Sequence, residues 1–155
     1  MIFHQMYGTG YEVIFVAFSG IVLAQIVKCF LHLIVKRNLD LRLFTTTGGM
    51  PSSHSAGVMG LSTAVGLIRG FDSIEFAIAL GYAFIVMYDA VGVRRETGEQ
   101  AKILNRMLSE WMDRESDAMP FLGDKKLKEM VGHTPIQVLT GAIFGIAVGL
   151  LMPMV

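Results

Sequence analysis

The sequence has few charged residues and a single cysteine. Asp, Glu, Lys and Arg together make up 17% of its 155 residues, well below the roughly 25% of an ordinary soluble domain. The formal net charge is zero, so no overall positive field indicates a nucleic acid as partner. The lone Cys29 excludes an intramolecular disulfide and a cysteine-based metal cluster. With 53% hydrophobic residues, this composition predicts an integral membrane protein.

Three common sequence signals are also missing. No Lys or Arg precedes the first apolar segment, so the chain lacks the basic start of a cleavable signal peptide, and we interpret that segment as a retained span. No glycine-rich phosphate loop followed by a lysine occurs, which argues against an ATPase. No carboxylate-rich cage is evident, so we expect chemistry that needs neither a metal nor another cofactor.

The sequence does contain long apolar segments. A helix needs about 20 mostly apolar residues to cross the bilayer core. We therefore predict one membrane domain over residues 1–155, an all-α integral membrane helix bundle of about four transmembrane helices plus one cytoplasmic amphipathic helix. The predicted spans cover residues of about 12–35, 52–69, 73–92 and 134–153.

The amphipathic helix is predicted over residues of about 94–116. Its apolar residues recur at helical spacing among charged ones, which is typical of a helix that lies along a membrane surface. A solvated linker helix explains the same pattern equally well. The apolar positions are Ala101, Ile103, Leu104, Met107, Leu108, Trp111 and Met112.

The positions of the basic residues predict an orientation. Of the 13 Lys and Arg residues, 11 fall in the linkers after the first and third predicted spans. The positive-inside rule places both linkers in the cytoplasm and both termini on the opposite side. We expect the cytoplasmic or plasma membrane of a bacterium as the location, with the bilayer as one partner and no nucleic acid.

Residues 48–57, GGMPSSHSAG, place polar chemistry at the start of the second predicted span. Pro51 suits the first turn of a helix. The free amides of that turn, the hydroxyls of Ser52, Ser53 and Ser55 and the positive end of the helix dipole form a site suited to an anion. His54 would lie beside the bound anion. A capped helix start with a hydrogen-bonded histidine is the structural alternative.

Two further polar elements lie near the other cytoplasmic helix ends. Asp89 lies near the end of the third span, where an ionised carboxylate is costly unless it is paired or functional. Arg94 and Arg95 follow, and either can pair with Asp89 or bind phosphate oxygens with its planar guanidinium. His133 precedes the fourth span, at the same membrane face.

Two histidines and several cations around a helix start predict phosphoryl transfer. One imidazole attacks phosphorus while the other protonates the leaving oxygen, and the cations stabilise charge on the phosphate oxygens. The residues alone leave open which histidine takes which part.

Three motifs, taken in order, resemble a known family. GGMPSSHSA, YDAVGVRRETGEQAKILN and GHTPIQV are similar to the divergent branch of the type 2 phosphatidic acid phosphatase and vanadium haloperoxidase-related family, and the resemblance covers nearly the whole chain. It implies a membrane enzyme that cleaves phosphate monoesters or pyrophosphates of lipids without metal, through a phosphohistidine.

The resemblance also implies roles for individual residues. His54 corresponds to the general acid, and His133 to the nucleophile by its order in the chain. Lys28 and Arg42 stand where the family has its first phosphate-binding motif.

The sequence departs from the family pattern after His133. Four positions later, where a carboxylate would orient the imidazole, stands Gln137. A neutral amide can orient a ring, but it cannot stabilise the imidazolium as a carboxylate does. Asp89 could supply that charge from another helix.

Two functions follow from these residues. The first is a lipid phosphatase that holds a lipid phosphate at the cytoplasmic face. The second is a non-catalytic protein that binds an anionic lipid or acts as a scaffold, which the departure at Gln137 favours.

Glycines repeat at intervals of four in the last span. Gly141, Gly145 and Gly149 form a small face suited to close helix contact. The contact is either a homodimer interface or an intramolecular one.

Overall fold

The chain is all-helical in the part that the computed structural model describes, namely residues 9–37, 49–114, 127 and 132–152. These residues form five helices, which confirms the predicted all-α class. They are α1 (Gly10–Lys36), α2 (Ser53–Arg69), α3 (Ile74–Val91), α4 (Val93–Arg114) and α5 (Pro135–Leu151). Each helix begins and ends within two residues of the segment predicted for it.

Two helical segments are long and apolar enough to cross a membrane. They are Gly10–Val35 and Ile74–Glu110, the second of which combines α3 with most of α4. Helix α5 is apolar but shorter. That four helices cross the membrane and that α4 lies in the cytoplasm both stay predictions. Helix α2 is rich in small and polar residues, and α5 has only 17 residues.

Helix α2 lies at the centre of the bundle, in contact with α1, α3 and α5. Its buried residues are all small or carry a hydroxyl, so the neighbouring backbones can approach closely. The hydroxyls of Ser62 and Thr63 donate to the carbonyls of Val58 and Met59, at 2.9 and 2.8 Å. Their polar groups are thereby satisfied inside the bundle. The buried residues of α2 are Ser53, Ser55, Ala56, Gly57, Gly60, Ser62, Thr63, Ala64 and Gly66.

The glycine face of α5 packs against α2 within the chain. A Cβ added at Gly145 would collide with the carbonyl of Ala56. One added at Gly149 would lie 2.8 Å from the side chain of Thr63. The intramolecular alternative for these glycines is therefore confirmed. A homodimer stays a prediction, without support from this face.

Large apolar side chains lie on the outside of the bundle. Phe18 of α1, Ile85 of α3 and Ile143 of α5 are 65%, 69% and 59% exposed. In water such a surface would be unfavourable, whereas lipid chains solvate it. Small residues inside and large apolar residues outside are the arrangement expected of a helix bundle in a bilayer.

Candidate active site

The polar segment before α2 forms a capped helix start. Ser52 is the N-cap, and its Oγ accepts hydrogen bonds from the amide and the hydroxyl of Ser55, at 3.4 and 3.0 Å. Its own amide donates to the carbonyl of Gln137 at 3.1 Å, which ties α2 to α5. Ser52 and Ser53 are both buried. Ser52 thus has a structural role, and a phosphate contact by either serine stays a prediction.

The structure brings His54 and His133 together. Their ring centroids are 6.4 Å apart, with the ring planes at 79°. His54 belongs to the first turn of α2, and His133 lies two residues before α5. Nδ1 of His54 and both ring nitrogens of His133 are buried without a hydrogen-bond partner among the described residues. Three ring nitrogens are thus held in the interior, and no group in the described part of the chain bonds to them.

Backbone contacts fix the position of His133. Its amide donates to the carbonyl of Ala90 at the end of α3, at 3.0 Å. Gly132 has a φ of +89°, which only glycine adopts readily. A Cβ there would collide with the backbone of Arg95. Gly132 therefore allows the chain to pass over the start of α4 and deliver the imidazole to the site.

Lys28 of α1 is the buried cation of the site. It is 3% exposed, and its Nζ has no hydrogen-bond partner in the described part of the chain. Gly49, with φ +96°, lies against the aliphatic part of Lys28, and a Cβ there would be 3.2 Å from Cδ. A lysine ammonium is rarely buried without an anion, so this position is suited to an anionic ligand.

Arg94 and Asp89 form an ion pair at the rim of the site. Arg94 Nε donates to Asp89 Oδ2 at 2.6 Å, and both side chains are partly exposed. This is one of the two alternatives that the sequence left open for Arg94. The side chain of Arg95 is exposed, and Gly132 lies against the backbone of Arg95. Arg42 lies outside the described residues.

Burial, together with the positive charges around it, keeps the imidazole of His133 neutral. Burial lowers the pKa of His133 to about 4, and the positive charges of Lys28, His54 and Arg94 contribute to the same shift. Both effects disfavour a second proton on the ring. At neutral pH the ring therefore retains an unprotonated nitrogen, the form that can act as a nucleophile.

The groups expected to orient His133 bind elsewhere. The Gln137 side chain accepts from the Thr134 amide at 3.1 Å and completes a capping box at the start of α5. The carboxylate of Asp89 bonds to Arg94 and not to His133, whose ring nitrogens have no described partner. Neither side chain therefore bonds to His133 in this structure, and a role of Asp89 in stabilising its imidazolium stays a prediction. The backbone, through Gly132 and Ala90, holds the ring instead.

Sequence reasoning missed two of these features although both left a signal. Thr134 and Gln137 are three positions apart at the start of an apolar run, which is the pattern of a capping box. A glycine directly before His133 indicates a backbone position that needs a positive φ or a close approach.

Among the residues described, no three His, Cys, Asp or Glu side chains are close enough together to share a metal ion.

Comparison with known proteins decides the family. The family described as the divergent PAP2 family matches residues 10–148. This chain belongs to the divergent PAP2 family. The resemblance found in the sequence is thereby confirmed, and it extends over α1 to α5.

A curated relative supports the membrane assignment of this divergent PAP2 protein. Over 140 residues the chain is 44% identical to "Uncharacterized membrane protein YuiD" of Bacillus subtilis (strain 168). The alignment covers 86% of this chain and 89% of the relative. No solved structure matches the chain. Family, relative and apolar helices together identify a membrane protein of the divergent PAP2 family.

Proposed function

We propose that this protein is a membrane lipid phosphatase that hydrolyses a phosphate monoester or pyrophosphate of a lipid at the cytoplasmic face. The observation that carries the proposal is the set of buried nitrogens of Lys28, His54 and His133 that have no hydrogen-bond partner among the residues the structure describes. Buried polar groups without partners are costly. A phosphate group provides several oxygens that can bond to all three side chains at once. Phosphatidate-like and polyprenyl phosphates both carry such a group.

The proposed reaction has two steps, each with one histidine in a defined part. The neutral ring of His133 attacks phosphorus, the bond from phosphorus to the lipid oxygen breaks, and His54 gives its proton to that oxygen. Water then attacks the phosphohistidine as His54 takes up one of its protons. The phosphorus–nitrogen bond breaks, and inorganic phosphate leaves.

The cations stabilise the charge of the transferring group. Lys28 reaches the site from α1 as a buried point charge, and Arg94 lies at the rim with a planar guanidinium. The amides of the first turn of α2 add the positive end of a helix dipole. Arg95 and Arg42 are further candidates for phosphate binding. Asp89 sets the position of Arg94 through their ion pair.

A second candidate function is binding of an anionic lipid without turnover. The observation in its favour is that no carboxylate bonds to His133 in the described part of the chain. In a histidine-based site a carboxylate stabilises the imidazolium that forms during catalysis. Without one, the same cations would hold a lipid phosphate but leave it intact.

Phosphate release by the purified protein tests the proposal. Phosphatidate, a polyprenyl phosphate and a polyprenyl pyrophosphate are the substrates. We expect His54→Gln and His133→Gln to lower the rate by about 100-fold or more, the usual contribution of such groups. Arg69→Gln is the matched control, because Arg69 is a cation at the opposite end of α2, paired with Glu75 on the surface.

Three outcomes separate the candidates. Loss of activity in both histidine variants but not in Arg69→Gln supports the phosphatase. Activity that both histidine variants retain would refute the mechanism. Saturable binding of vanadate or phosphatidate, lost in Lys28→Met and without hydrolysis of any substrate, would favour the binding protein.

A further inference from the structure

One face of α2 forms a stripe of partly exposed side chains that begins at His54. The stripe consists of His54, Val58, Leu61, Val65 and Ile68, and each of these residues is neither fully buried nor fully exposed. Their spacing of four, three, four and three positions places them on one side of a helix. Apart from His54 the stripe is entirely apolar.

No described helix covers this stripe. Helix α5 packs on another face of α2, where Gly145 meets Ala56 and Gly149 meets Thr63. On the helical wheel that face lies opposite the stripe.

Helices α1 and α3 flank the stripe without closing over it. A Cβ at Gly57 would collide with Ile21 of α1, and one at Gly66 would contact Phe76 of α3. These two positions bracket the stripe on the helical wheel. In the described part of the chain α1 and α3 do not contact each other. In the part of the chain that the structure describes, the space over the stripe is therefore bounded on two sides and covered by no helix.

The stripe is long enough to line a lipid chain through one leaflet of a bilayer. From position 54 to position 68 the helix rises 14 residues, about 21 Å at 1.5 Å per residue. The hydrocarbon core of a bilayer is about 30 Å thick, so one leaflet accounts for about half of that. A hydrocarbon chain whose head group lies at His54 would find apolar side chains along its whole depth in the leaflet.

We infer that the stripe binds the hydrocarbon chain of the lipid phosphate whose head group lies at His54. This inference rests on the proposed function and names the part of the substrate that determines specificity. Charge complementarity favours a lipid over a helix of a second copy. Lys28, whose Nζ has no hydrogen-bond partner among the described residues, lies at the His54 end of the stripe, whereas Arg69 at the other end is paired with Glu75. The positive charge that a described carboxylate does not compensate thus lies at the His54 end, and a lipid phosphate likewise carries its negative charge at one end only. A single helix face accommodates one chain, either acyl or prenyl.

Substitutions on the stripe test the inference against matched positions on the outer surface. Leu61→Trp and Val65→Trp fill the space over the stripe, while Ile78→Trp and Ile143→Trp add the same ring to faces that are 67% and 59% exposed. Hydrolysis of long-chain phosphatidate and of a polyprenyl phosphate is compared with that of a short-chain, water-soluble phosphate ester.

The stripe variants should discriminate between the substrates. We expect them to lower kcat/KM for the long-chain substrates by about tenfold, which corresponds to about 1.4 kcal/mol, and to leave the short-chain ester unchanged. The surface variants should leave both unchanged. Whether the acyl or the prenyl substrate loses more identifies the natural chain. Equal loss for long and short substrates, or the same loss in Ile78→Trp, would overturn the inference.

Photo-crosslinking of the unmodified protein gives a result that does not depend on turnover or on the folding of a variant. The probe is a long-chain alkyl phosphonate, whose carbon–phosphorus bond a phosphatase does not cleave, with a diazirine at the end of the chain, placed in liposomes. We expect labelling at Val65 and Ile68, suppressed by excess phosphatidate. Label spread evenly over outer residues such as Ile78 and Ile143 would overturn the inference.

The two measurements separate the inference from the function on which it rests. Labelling confined to the stripe without hydrolysis of any substrate would refute the phosphatase but retain the lipid-chain site. Hydrolysis of all substrates with label spread over the surface would retain the phosphatase and refute the site.

Discussion

His54 and His133 lie with their ring centroids 6.4 Å apart, although 79 positions separate them in the sequence. Three backbone contacts produce this relationship. The amide of Ser52 bonds to the carbonyl of Gln137, the amide of His133 bonds to the carbonyl of Ala90, and Gly132 passes over the start of α4. The pair is therefore held by the ends of α2, α3 and α5 together, and a change at any of these ends should alter the site.

Gly132→Ala should displace His133 and lower activity. The added Cβ would collide with the backbone of Arg95, and a φ of +89° is strained for alanine. We expect at least a tenfold loss of phosphate release, since a small misplacement of a catalytic group is costly. Gly81→Ala is the matched control, because a Cβ at Gly81 meets no atom within 4 Å. Full activity in Gly132→Ala would show that the position of His133 is not critical.

Lys28→Met should stabilise the fold while it removes anion binding. The ammonium of Lys28 is buried without a hydrogen-bond partner among the described residues, and methionine has a similar length without the charge. We expect a higher melting temperature in detergent and the loss of vanadate binding. Arg69→Gln should change neither by a comparable amount, since its ion pair with Glu75 is on the surface. Lower stability with unchanged vanadate binding would contradict a role for Lys28 in holding an anion.

The stability of the protein should fall as the pH decreases from 6.5 towards 4. The pKa of His133 is lowered from 6.5 to about 4 in the folded protein, so in this interval the unfolded state binds a proton that the folded state does not. Proton uptake by the unfolded state alone shifts the equilibrium towards unfolding. Each pH unit inside the interval lowers the free energy of unfolding by up to about 1.4 kcal/mol.

Comparison of the unmodified chain with His133→Gln separates the effect of His133 on stability from that of the carboxylates, which both proteins share. Chemical unfolding is measured at pH 6.5 and at about pH 5 for the unmodified chain and for His133→Gln. The unmodified chain should lose more stability between these two pH values. Equal losses would show that His133 titrates normally. Vanadate should reduce the difference, because a bound anion favours the protonated ring.

Local patterns made most of the fold predictable from sequence. The apolar runs and the hydroxyl residues before α2, α3 and α5 are short-range signals, and the helix limits follow from them. The expectation for Pro51 was wrong, because it precedes the N-cap Ser52 and lies outside the first turn of α2. The number of spans does not follow, because α2 lies among other helices and its small residues lower its hydropathy. Whether such a helix crosses the membrane depends on its neighbours rather than on its own composition.

The pairing of His54 with His133 was predictable from the sequence, whereas the contacts of their neighbours were less so. The motifs indicated His54, His133 and the cations, since each is unusual beside an apolar segment. The hydrogen-bond partners of Asp89 and Gln137 were harder to predict, because several polar groups near each side chain compete for it. Asp89 bonds to Arg94, five positions away, and Gln137 to the amide of Thr134. In both cases a partner close in sequence competes successfully with the more distant imidazole.

The most direct test of the account is to identify the residue that becomes phosphorylated. The protein is mixed with a lipid phosphate labelled at phosphorus, quenched without acid to preserve a phosphohistidine, and mapped by mass spectrometry. We predict a phosphate group on His133, absent in His133→Gln and reduced in His54→Gln. Turnover of the substrate with no phosphate on His133, or with the phosphate on His54 instead, would contradict the assignment of nucleophile and acid.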